Sequence, residues 1–106
     1  VNPAECFIQE VQDLLDEGEL SKAIDHVYDT LDQHLLAGHF KEAEDILRAS
    51  LHSEWPLVTL LSALTISTPW RDRFKVIHEA LTLRIRNRAF AMGGQAKVDA
   101  VFRGIR

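Results

Sequence analysis

Apolar positions recur along this chain every three to four residues, and turn residues break the recurrence into helix-sized pieces. Phe7, Ile8, Val11, Leu14 and Leu15 form one stripe. Asn2 suits the cap, Pro3 the first helical position and Glu5 the acidic first turn, and Gly18 suits the close. A second helix is expected from about Leu20 to Ala37, with Leu20, Ala23, Ile24, Val27, Leu31 and Leu35 on one face and Asp25, Asp29 and Asp32 on the other. A third runs from about Phe40 to His52. Pro56 opens a fourth, apolar nearly all round from Leu57 to Ile66 and therefore central. Thr68 and Pro69 predict the start of a fifth, carried by Phe74, Ile77, Leu81 and Ile85 to about Met92. The alternation at 81–88 competes as a strand, but a lone strand has no partner here, so helix is retained. Gly93-Gly94 reads as a hinge, followed by a short helix on Val98, Val101, Phe102 and Ile105. The expectation is one all-α domain over residues 1–106, a compact antiparallel array of five or six helices.

One pattern occurs twice. Gly18, Leu20, Ala23 and Leu31 are echoed twenty residues later by Gly38, Phe40, Ala43 and Leu51. A turn glycine is followed by an apolar anchor, then a small residue that lets helices approach closely. Over residues 18–51 this resembles the second helix of a tetratricopeptide repeat, which implies a loosely TPR-like array and protein or peptide binding. The period of 20 departs from the 34 residues of that family, and no third copy follows.

The formal net charge of −4 conceals an asymmetry. Residues 1–50 carry twelve acids against three bases, and residues 51–106 four acids against nine bases, so the halves hold −9 and +5. Opposite halves of this kind either attract each other within the fold or form two surfaces for different partners. The arginines Arg84 and Arg88, one turn apart on the basic half, are expected to pair with the acidic helices or with a second copy of the chain.

Chemistry is harder to find. The histidines 26, 34, 39, 52 and 78 show no ligand spacing, and there is no phosphate loop or catalytic constellation, so no enzyme, metal or cofactor is expected. Cys6, off the main stripe, reads as a buried inert thiol. The lone cysteine and the lack of a secretory pattern suggest a reducing, cytoplasmic setting. The uncharged run Trp55 to Trp70 is too short to span a membrane. The chain stops within an apolar run, as a partial chain would.

These observations favour a non-catalytic protein-interaction module. The acidic face of helices 1–3 would meet a basic partner segment, or the basic face of helices 5–6 an acidic one; candidate partner contacts are Arg84, Arg88, Trp55, Trp70, Asp25, Asp29 and Asp32. The alternatives are nucleic-acid binding through the basic C-terminal face, disfavoured by the acidic whole and the missing stacking aromatics, and a self-assembling subunit whose interface is Val98, Val101, Phe102 and Ile105.

Overall fold

The computed structural model describes residues 2–103. Five helices appear: α1 (Pro3–Asp16), α2 (Leu20–Leu36), α3 (Phe40–Leu51), α4 (Leu57–Ser67) and α5 (Lys75–Phe102), with a short 3-10 turn at Thr68–Trp70. Among the described residues there is no strand, and the fold is all-α. Each helix packs on the next, and α1 also meets α3, α2 meets α4, and α3 meets α5. The helices therefore form two layers, α1, α3 and α5 over α2 and α4. The smallest dimension of the molecule, 20 Å, is two helix diameters.

The echo in the sequence is an echo in the backbone. Gly18 and Gly38 both stand at φ 78°, in the left-handed region that glycine tolerates. Gly18 N–H donates to the Leu15 carbonyl and Glu19 N–H to Leu14; Gly38 N–H donates to Leu35 and His39 N–H to His34. These paired bonds satisfy the last carbonyls of α1 and α2. Glu19 and His39 then serve as first acceptors of the next helix, for Ala23 and Ala43 N–H. Both alanines are fully buried.

The start of α1 follows its sequence signals, with the Asn2 side chain accepting from Ala4 N–H at 2.9 Å. The start of α5 does not. Thr68 closes α4 instead, its hydroxyl donating to the Leu64 carbonyl at 2.8 Å. Pro69 lies in the 3-10 turn, and successive three-residue bonds carry the chain to Phe74, whose buried ring precedes the new helix. A Thr-Pro pair favours either helical turn, and only tertiary packing separates them. Cys6 is also corrected: its thiol is exposed on α1, one position off the stripe.

Helix α5 is broken at Gly93 and Gly94, the latter at φ 67°. Beyond the break Val98 is buried, and Val101 and Phe102 pack half-buried on the core. The fold's own interior thus takes up Val98, while Val101 and Phe102 keep part of their surface exposed. Ile105 lies outside the described residues.

His78 sits half-buried near the end of α4, with Nε2 3.5 Å from Thr68 Oγ1. Burial pushes its pKa below the ordinary histidine value; a hydrogen bond with the Leu64 backbone pulls upward, Arg71 pushes down and Glu79 pulls up. The folded state thus favours the neutral ring. Its contribution to stability is complete above the unfolded pKa and is lost as pH falls through the lowered folded value. The melting temperature of the wild type should fall more steeply from about pH 7.5 to about pH 5 than that of His78→Gln. Parallel curves from calorimetry would contradict this.

Candidate protein-interaction surface

Spacing alone puts the carboxylates of α1 on one flank. Glu10, Asp13 and Glu17 lie three and four residues apart, hence on one helix face. Asp25 and Asp29 of α2, one turn apart, face them, because the tight Gly18 turn folds α2 back along α1. The five acids line one open cleft, with Leu14 at its apolar wall. His26 Nε2 reaches Glu10 Oε2 at 2.8 Å and ties the two helices. Lys22 also lines the cleft, and its ammonium lies 3.7 Å from Glu19 of its own helix entry. Asp13 accepts from the Gln9 amide at 2.8 Å. Among the described residues, Glu17, Asp25 and Asp29 take part in no ion pair. Asp32, a turn beyond Asp29, is half-buried and does not line the cleft. The α1 acids were missing from the candidates drawn from sequence, although their spacing of three and four was a legible signal.

The basic half is arranged otherwise. Arg84 donates to the carbonyls of Leu51 and, at 2.7 Å, of Ser53, while Arg88 donates to the Trp55 carbonyl at 2.6 Å. The two guanidinium groups therefore stitch α5 to the end of α3 and the loop that follows, where the helix dipole favours a cation. The expectation that they pair with acidic helices is corrected: their acceptors are backbone oxygens. Arg73 lies 3.9 Å over the Phe40 ring, and Arg71 donates to the Thr68 carbonyl. Among the described residues every ion pair lies within α1–α3 and their connecting turns, and none joins the acidic half to the bases of α5. The charge asymmetry is thus not neutralised by contacts inside the fold.

Trp55 is fully buried, with Phe7 edge-on at 6.2 Å, so in this conformation it offers no surface to a partner. Trp70 is half-buried against the core. The Trp55 indole nitrogen and the Thr59 hydroxyl are buried without a hydrogen-bond partner. A helical threonine ordinarily donates to the carbonyl four residues back; here that oxygen, on Trp55, receives Arg88 and no bond from Thr59. Thr59→Val should therefore raise stability by about 1 kcal/mol, because it removes an unsatisfied hydroxyl at constant shape. A loss of stability in urea titration would show that the hydroxyl has a partner.

No group of three or more His, Cys, Asp or Glu among the described residues is placed to hold a metal ion. Among the same residues no helix is long and apolar enough to cross a membrane. The chain matches no family model, no curated protein and no solved structure.

Proposed function

We propose that this chain is a non-catalytic protein-interaction module whose α1–α2 cleft takes a Lys- or Arg-rich segment of a partner protein. The reading rests on the open cleft of five carboxylates, four of which, Asp13, Glu17, Asp25 and Asp29, have no ion pair among the described residues. Such a cleft attracts cations from solution and gains when a partner supplies them. The identical glycine turns at 18 and 38 support a helical-repeat architecture, a scaffold suited to presenting helix faces. The lone cysteine fits a cytoplasmic setting. The nucleic-acid alternative is weakened because Arg84 and Arg88 are held by backbone carbonyls.

Fluorescence anisotropy with a labelled Lys/Arg-rich peptide tests the proposal. Binding at about 50 mM salt should weaken strongly at about 500 mM. The Glu17→Gln, Asp25→Asn, Asp29→Asn triple variant should lose affinity about tenfold or more, at several tenths of a kcal/mol per removed charge. Equal affinity in the triple variant would overturn the assignment.

A further inference from the structure

Helix α5 is apolar on two opposite faces. Ile77, Leu81, Ile85 and Ala89 are buried in the core. On the far side stand Val76, Ala80, Leu83, Asn87 and Phe90, spaced four, three, four and three, the spacing of a two-helix seam. Val76 is 80% exposed, Leu83 55% and Phe90 58%. The stripe runs roughly 21 Å along the helix at 1.5 Å per residue. Three large apolar side chains in one exposed row are more than the scattered singles of an ordinary surface.

We infer that this face binds the α5 of a second copy of the chain, antiparallel, across a two-fold axis at Leu83. Helical geometry puts Glu79 and Arg86 on the same flank of the stripe. With Leu83 on the axis, Glu79 of one copy comes beside Arg86 of the other, and symmetry makes the pair twice. Val76 then faces Phe90 of the second copy. Glu79 takes part in no ion pair among the described residues, and Arg86 has only the Phe102 ring at 5.8 Å. A parallel alignment would instead bring Glu79 to Arg84, whose guanidinium already holds two carbonyls. In the antiparallel pair the two Arg84 residues lie near each other beside the axis on the other flank, each guanidinium turned to its own Leu51 and Ser53 carbonyls, so the two Glu79–Arg86 pairs favour this alignment. Asn87 is the single polar member of the seam, a residue type that fixes register at some loss of stability. This inference concerns a surface remote in sequence from the acidic cleft, and the two stand or fall separately.

Sedimentation velocity on the full chain, from about 1 µM to about 500 µM, spans the range in which a small interface dissociates. A dimer should appear as concentration rises. Leu83→Glu should weaken it at least tenfold while leaving the helical circular dichroism unchanged. Val76→Glu, at the most exposed position, provides the same reading should Leu83→Glu perturb the fold. Glu79→Arg should also weaken the dimer, and Glu79→Arg with Arg86→Glu should restore it. A monomer at every concentration, or a dimer indifferent to both Glu substitutions in the seam, would overturn the inference. A double charge reversal that fails to restore a dimer weakened by Glu79→Arg would overturn the antiparallel alignment.

Discussion

Trp55→Ala should lower the free energy of unfolding by about 3–5 kcal/mol, the range for deleting a buried aromatic ring. Trp55 is the largest of the fully buried side chains and is packed edge-on to Phe7 of α1. It stands in the loop between α3 and α4, so its removal opens a cavity in the core against α1. A domain of this size is stable by about 5–15 kcal/mol in total, so the variant should lose a large share of its stability. Trp55→Phe should lose well under half as much. It keeps most of the ring, and the indole N–H that it deletes has no partner. Urea titration of the two variants checks both numbers. If Trp55→Ala left the midpoint unchanged, the ring would not be part of the core.

Arg84→Met should cost about 2–4 kcal/mol, because it removes two charge-assisted hydrogen bonds to the Leu51 and Ser53 carbonyls. Methionine retains much of the aliphatic stem, so the loss reports the guanidinium and not the packing. The melting temperature should fall by about 10 °C or more. Arg84→Lys should recover only part of this, since one ammonium cannot reproduce a fork aimed at two carbonyls. The result separates a structural role from a binding role. An arginine reserved for an acidic ligand would leave the melting temperature intact when removed, and its loss would appear only in binding.

How far the sequence spoke for itself varied with the range of the interaction. The Asn2 cap and the Gly18 and Gly38 turns were legible because each is settled by residues within one turn. The opening of α5 was not, because Thr68 and Pro69 carry the same local signal for a 3-10 turn as for a new helix, and the buried Phe74 decides between them. The alternation at 81–88, which competed as a strand, comes from a helix with two apolar faces: Leu81 and Ile85 point inward and Leu83 outward. Arg84 and Arg88 looked like a ligand pair because their acceptors are backbone oxygens more than thirty residues away, and backbone oxygens leave no mark on composition. For the terminal stripe of Val98, Val101 and Phe102, periodicity reports an apolar face without saying what covers it, and the fold itself covers Val98 and part of the other two. The acidic cleft was half-legible. Asp25 and Asp29 stood out, but the α1 acids joined them only once the Gly18 turn had set the two helices side by side.

Whether the α1–α2 cleft receives a basic segment is decided by amide chemical shifts in a titration of the isotope-labelled protein with a Lys/Arg-rich peptide. Saturable shifts should be confined to Glu10, Asp13, Glu17, Asp25, Asp29 and their neighbours, with α5 unmoved. Shifts scattered over the whole surface, or centred on another helix pair, would contradict it.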